Sequence, residues 1–313
     1  MLVSVIFNFK NEEQNIPSLI SRTKSVFKNE RLENYGLELI FVNDRSTDNS
    51  IAEIHKNVLD TKATVINMSR NFGRWPCLVA GIKNSNGDLL IYMDSDLQDP
   101  PELILEMIGK YEEGYDVVHT RRVKRHGENK LKLFISNVAY RVIKILSNIK
   151  LENNVSDFKL MNRKAANNFL EFRDRDPYVR GISVWIGFKQ IYIDYERSER
   201  NSGKTQYSIF GKGPALEFIR GITSFSTKIL YILFILGLVS IIAAFFLSAY
   251  FMYLKIFGDL APGVATLSIL ILILFAIIIF FIGTISLYLA RIIEETTNRP
   301  LYIVDDIIKI NEN

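Results

Sequence analysis

The 313-residue sequence has a single cysteine, Cys77, which excludes an internal disulfide and fits a reducing compartment. Nor does it carry a large excess of charge. Its 38 Lys and Arg against 34 Asp and Glu leave +4, too mild to argue for nucleic acid and compatible with attraction to anionic lipid. The start, MLVSVIFNF, lacks a basic segment and a small-residue cleavage site and runs straight into KNEEQN, so it is not read as a signal peptide. No internal repeat or low-complexity tract is present. The most informative scarcity is of charge in one region: Ile229 to Leu254 and Leu260 to Ala290 are apolar throughout, with Lys255 and Asp259 between them.

Each apolar run exceeds the roughly 20 residues that a helix needs to cross a bilayer, which predicts two transmembrane helices. Lys204, Lys212, Arg220 and Lys228 precede the first run, and Arg291 and Arg299 follow the second. The intervening KIFGDLAPG is short and nearly neutral, so the positive-inside rule places the charged remainder in the cytoplasm. The expected division is a cytoplasmic domain over 1–207, interfacial helices over 208–228, two membrane helices over 229–290 and a cytoplasmic tail over 291–313. A basic amphipathic stretch, 130–149, can be read either as a helix packed on the domain or as an interfacial helix.

The charged part alternates in period. Residues 2–9, 38–44, 63–69, 87–94 and 115–122 read as strands. EEQNIPSLISRTKSVFKN, STDNSIAEIHKNVL, WPCLVAGIKNS and PPELILEMIGKYEEG read as the helices between them. Ser46, Thr47 or Asp48 can cap the second helix. Such alternation predicts an α/β fold with a doubly wound, mostly parallel, Rossmann-like sheet. Ligands bind such sheets beyond the carboxyl ends of the strands, where Asp44, Asn71 and Asp94 fall.

At the end of the fourth strand stands YMDSDLQDPPE. Asp94 and Asp96, with Ser95 between them, can converge on a hard cation, Mg2+ or Mn2+, that bridges to phosphates. A D-x-D pair alone also suits a solvated turn before a Pro-Pro helix start, and Asp99 reads as a turn or capping residue. Asp44 in FVNDRSTD can accept N–H groups of a nucleobase or merely cap the next helix. NFGRWP brings a Gly and Arg74 to a helix start, suited to a phosphate. Asp157 lies in the otherwise apolar NVSDFKLMNR, and SERNSGKTQY is a basic, Gly-containing loop.

The ordered set NEEQNI, FVNDRSTDNS, NFGRWPCLVAGI, YMDSDLQDPPE, NVSDFKLMNR, ERNSGKTQY, GITSFSTK and RPLYIV resembles the polyisoprenyl-phosphate glycosyltransferases of glycosyltransferase family 2. This group includes bactoprenol glucosyltransferases and dolichol-phosphate mannose synthases, and the likeness runs from residue 2 to about 304. It implies a GT-A-type fold with two C-terminal membrane helices at the cell's inner, cytoplasmic membrane. The implied reaction is inverting transfer of a sugar, glucose favoured, from a nucleoside diphosphate sugar, UDP favoured, to polyprenyl phosphate. The resemblance assigns Asp44 to the nucleotide base, Glu12 and Glu13 to the nucleoside side, and Asn71, Asp94, Ser95 and Asp96 to the nucleotide sugar. It assigns Asp94 and Asp96 to the metal, and Arg122, Arg125, Lys159 and Arg200 to the acceptor phosphate. Asp157, Asp96 and Arg200 are the implied catalytic residues, and a homo-oligomer, with a tetramer possible in geometry, is the implied assembly.

Departures from the pattern are local. Asn8-Phe9-Lys10 replaces Pro-Val-Tyr, Lys159 an arginine, Gln206 a lysine, Trp75 an acidic residue that would alter the donor pocket, and Ser286-Leu287 a Gly-Glu. A phosphate nucleophile is already ionised near neutral pH, so Asp157 can serve either as base or as an orienting charge. A processive synthase would need more membrane helices and a Q-x-x-R-W signature, both missing. A catalytically silent scaffold or flippase subunit is the alternative from another class, disfavoured by Asp94, Asp96, Asp157 and Arg200. A two-helix transporter lacks ionisable groups within its membrane runs.

Overall fold

The computed structural model describes residues 1–124, 152–196 and 263–311, apart from 153, 173, 175–177 and 298, together with isolated positions between 232 and 257. Arg125, Arg200, Gln206 and the segments 130–149 and 208–228 lie outside the described residues, as does the continuous course of the first apolar run.

Five strands follow the sequence pattern: β1 (Leu2–Phe9), β2 (Gly36–Asn43), β3 (Lys62–Met68), β4 (Leu89–Asp94) and β5 (Val117–Lys124). Between them lie α1 (Ile16–Val26), α2 (Ser50–Asn57), α3 (Arg74–Lys83) and α4 (Leu103–Glu112). α2 starts from Asn49, yet Asp48 is the nearby acceptor, its Oδ1 taking the Ser50 amide at 3.1 Å.

Beyond the expected pattern come β6 (Val155–Asn162), α5 (Arg163–Leu170), α6 (Val179–Trp185), β7 (Gln190–Glu196), α7 (Val264–Thr296) and β8 (Val304–Ile310). All eight strands join one sheet in the order β7-β5-β6-β4-β1-β2-β3-β8. The pairs β1–β2, β1–β4, β2–β3 and β5–β7 are parallel, whereas β4–β6, β5–β6 and β3–β8 are antiparallel. The sheet is therefore mixed. β6 inserts between β4 and β5 against the direction of both, and residues 304–310, expected in a tail, close the far edge.

Period-two alternation sorts the strands onto two cores. Val3, Val5, Phe7 and Phe9 face α1, α2 and α4 with Ile16, Leu19, Ile54, Ile104 and Met107. Ile6, Ile40, Val42, Ile66, Leu90 and Tyr92 face α3, α5 and α6 with Leu78, Ala165, Phe169 and Ile182. This is the doubly wound arrangement, with helices on both faces.

α7 runs unbroken for 33 residues, about 50 Å at 1.5 Å per residue. Taken over the described residues, no helix is long and apolar enough to cross a membrane.

α3 lies so close to the sheet that a Cβ at Gly81 would collide with Cγ2 of Ile6 and meet Cγ2 of Val42 at 3.3 Å. Helix propensity favours Gly→Ala by roughly 1 kcal/mol, but overpacking of a core costs about 1–3 kcal/mol. Gly81→Ala is accordingly expected to lower the melting temperature. A thermal melt showing no loss would mean that α3 can move off the sheet freely.

Candidate active site

The carboxyl ends of the four adjacent parallel strands meet on one rim, and each is followed by a residue in the left-handed region. These are Asn11 (φ 57°) after β1, Arg45 (63°) after β2, Gly73 (89°) after β3 and Leu97 (56°) after β4. Such conformations cost L-residues on the order of 1 kcal/mol or more and collect at functional sites.

Side chains hold these turns together. Asn11 Oδ1 accepts the Thr47 amide at 2.7 Å, Glu13 the Asn49 amide at 3.0 Å, and Asp48 the Glu13 amide at 3.1 Å. Glu12 accepts Asn15 Nδ2 at 2.6 Å. Glu12 and Glu13 thus brace the first loop, Glu13 directly against the second. Asp44, buried, accepts the amides of Phe72 at 2.7 Å and Gly73 at 3.1 Å. It fixes the NFG turn at the start of α3, where the helix dipole favours a carboxylate, and does not cap α2. Asn71 is exposed beside that turn.

The register explains what gathers above this rim. Asn8 of β1 pairs with Asp94 of β4, and Tyr92 pairs with Lys159 of β6. Continuing the antiparallel register by two residues carries Asp157 to the same face as Asp94. Arg74, first residue of α3, spans the two: its guanidinium lies 3.4 Å from Asp94 Oδ2 and 3.5 Å from Asp157 Oδ2. On the other side Arg180 of α6 grips Asp157 with two donors, Nε to Oδ1 and Nη2 to Oδ2, both at 3.2 Å. The order Asp94, Arg74, Asp157, Arg180 alternates in charge.

The carboxylates respond differently to this setting. Burial pushes Asp94 upward; Arg74 pulls it back, while Asp96, Asp157 and Asp99 add to the rise. Burial also works to raise Asp157, but Arg180, Arg74 and Lys159 overcome it and hold the group well below the usual carboxylate range. An aspartate so firmly ionised is a poor proton acceptor. Of the two roles open to Asp157, the geometry supports the orienting one. Arg180 was not foreseen, although an arginine alone in the apolar run YVRGISVW was the signal for it.

Several expected positions are used otherwise. Asp99 does not cap α4: it is buried, accepts the Tyr195 hydroxyl and lies 3.4 Å from Arg122 Nη2, which anchors the loop after β4. Arg122 also donates to Ser156 Oγ at 2.8 Å and Tyr195 Oη at 3.0 Å, so its guanidinium is enclosed rather than offered to an acceptor phosphate. Lys159 is fully buried and donates to Ser183 Oγ at 2.9 Å, which likewise withholds it from a surface-bound phosphate. Ser95 spends its hydroxyl on the Asn8 carbonyl at 2.8 Å. Trp75 is core: its ring meets Phe169 edge-on at 5.4 Å and its Nε1 donates to the Asp174 carbonyl at 3.0 Å, so it does not reshape a donor pocket.

Residues for a cation are present without forming a closed cage. Among the described residues no group of three or more His, Cys, Asp or Glu side chains could hold a metal ion. Asn8 Oδ1, in register with Asp94, is buried without a hydrogen-bond partner. Two carboxylates and an amide oxygen suit a hard cation that completes its coordination with phosphate and water.

A profile of Glycosyl transferase family 2 matches residues 4–170, more than half of the chain. The chain belongs to this family. The glycosyltransferase is 36% identical over 312 residues to a prophage bactoprenol glucosyl transferase homolog of Escherichia coli (strain K12), covering 99% of this chain and 100% of that protein. It is 34% identical over 307 residues to the bactoprenol glucosyl transferase of Shigella phage SfII, covering 97% of each. Among solved structures, a glucosyl-3-phosphoglycerate synthase from Mycobacterium tuberculosis matches at 18% identity and a TM-score of 0.43, over 64% of this chain and 73% of that one. So weak a likeness carries no argument about the site.

Burial, helped by Arg180 and opposed by Asp157, brings Lys159 down from 10.5 to about 8. Between those values the unfolded glycosyltransferase binds the extra proton, so the Lys159 contribution to stability rises with pH across that window, by about 3 kcal/mol. Melting temperatures recorded from pH 7.5 to 10.5 should show this rise in the wild type and a flatter profile in Lys159→Met. Parallel profiles would mean that the ammonium is solvated in the folded state.

Proposed function

We propose that this glycosyltransferase moves a sugar, glucose favoured, from a nucleoside diphosphate sugar, UDP favoured, to undecaprenyl phosphate at the cytoplasmic face of the membrane. The observation that carries the reading is the alternating row Asp94, Arg74, Asp157, Arg180 at the strand ends. A site that handles two phosphate-bearing substrates and no strong base needs cations held in fixed positions more than it needs a proton acceptor. Further support comes from near full-length likeness to proteins named bactoprenol glucosyl transferases.

An acceptor phosphate oxygen attacks the anomeric carbon as the bond from that carbon to the diphosphate breaks, and the nucleoside diphosphate departs with the bonding pair. One displacement inverts the configuration. Because the attacking oxygen is already ionised, no protein group need take a proton. Arg180, held by both oxygens of Asp157, presents its charge in one orientation, and Asp44 keeps the NFG turn in place for the donor. Asp94 and Asp96, with Asn8 Oδ1, would hold Mg2+ or Mn2+. When bound, that cation offsets charge growing on the diphosphate.

Membrane attachment through 229–254 and 260–290 is part of the proposal. It is supported by the apolar runs and by the outward Leu267, Leu274, Phe275, Ile278 and Phe280 side chains on α7. It gives the reaction access to a lipid acceptor that does not leave the bilayer, and the basic residues flanking both runs favour the cytoplasmic side.

The deciding experiment offers a panel of nucleotide sugars to the full chain with undecaprenyl phosphate and Mg2+ or Mn2+, then identifies the lipid product by mass spectrometry. One donor should give a lipid-linked monosaccharide, and Asp96→Ala should remove turnover by at least 100-fold. Near-normal turnover in Asp96→Ala would overturn the metal assignment. No product from any donor with a folded wild-type chain would favour a silent scaffold.

A further inference from the structure

Among the described residues Arg74 is the cation paired with the first aspartate of the D-x-D pair, and its placement is unusual for a helix residue. It begins α3, where the dipole disfavours positive charge, and its side chain is 49% exposed. It reaches Asp94 at 3.4 Å and Asp157 at 3.5 Å, both at the long end for ion pairs, whereas Arg180 holds Asp157 from the other side with two donors at 3.2 Å. Asp157 is therefore neutralised without Arg74. Among the described residues Arg74 is the ion-pair partner of Asp94, and burial makes the Asp94 charge costly.

From this we infer that Arg74 is a built-in placeholder cation: it balances Asp94 in the empty site and gives way when a divalent ion arrives with a nucleoside diphosphate. The inference rests on the metal role proposed for Asp94 and Asp96. Two cations cannot share one Asp94 carboxylate without mutual repulsion, so a divalent ion entering alone must push the guanidinium off Asp94 and toward Asp157, which Arg180 already holds. When a diphosphate enters with the ion, the released guanidinium acquires a phosphate to bind. Metal and nucleotide are coupled for that reason, and coupling is reciprocal. The consequence is that the site loads as a metal–nucleotide pair and stays closed to stray divalent ions.

The test measures binding, not turnover. Free Mn2+ is followed by electron paramagnetic resonance, and UDP binding by calorimetry, on the full chain in detergent. For Arg74→Gln, Mn2+ affinity without nucleotide should rise about tenfold, while UDP affinity in saturating Mn2+ should fall about tenfold, within the usual range of coupled sites. Effects of opposite sign distinguish a placeholder from a residue that merely supports the fold. Arg74→Lys, which keeps the charge, should stay within about threefold of wild type in the absence of nucleotide. Removing a half-exposed cation from a helix start is not expected to harm folding, and a melt of each variant checks this. Should Arg74→Gln melt early, the same pair of measurements on Arg74→Ala decides the matter. Unchanged or weaker Mn2+ binding in a folded Arg74→Gln or Arg74→Ala chain would overturn the inference. Asp94→Asn separates the two levels: Mn2+ binding equal to wild type in that variant defeats the metal assignment itself. Loss of binding there, with no gain in Arg74→Gln, defeats only the placeholder.

Discussion

Carboxylates taken out of water need counter-charge, and the rim of this sheet is organised by how that need is met. Parallel strands deliver their carboxyl ends to one line, and the turns after them are the natural place for polar side chains. Asp94 and Asp157 arrive there on neighbouring antiparallel strands and on the same face, which without intervening cations would be a repulsive pair. Arg74 comes from the helix after β3 and Arg180 from the short helix before β7, so four separate elements must be in place before the charges balance. The site is in that sense a product of the whole fold.

A second buried network sits one strand away and keeps that assembly stiff. Asp99 takes the Tyr195 hydroxyl, and Arg122 and Ser156 close the group. The loop after β4 is thereby tied to β5, β6 and β7. Removing one partner of such a group leaves the others buried and unpaired, which costs more than the bond itself contributed. The positive-φ Leu97, two residues before Asp99, is held in its turn between the D-x-D pair and this anchor.

The first five strands and four helices were legible because each consists of residues whose period and length suit one element. β6 was not assigned, although Asp157 and Lys159 alternate with Phe158 and Leu160 as a strand requires. Those polar residues mark where the strand passes under the active site. Its insertion between β4 and β5 depends on pairing with β4 across more than sixty residues of chain, a contact that no local signal specifies. Asp94 and Asp96 were legible as a motif at a strand end. Arg180 and the Asp99 network were not, because what defines them is the partner, and the partner lies on another element. Lys159 shows the same limit in reverse: its charge suggested a phosphate, whereas its place in the sheet interior gives it a serine.

β8 completes the sheet only after α7 has been made. Until residues 304–310 emerge, β3 presents an open row of amides and carbonyls, the kind of edge that recruits foreign strands. Synthesis of this chain therefore passes through an interval in which the catalytic layer is built but its border is uncovered. The segment that seals it follows α7 in the chain, so a chain ending within 264–296 would leave the β3 edge uncovered.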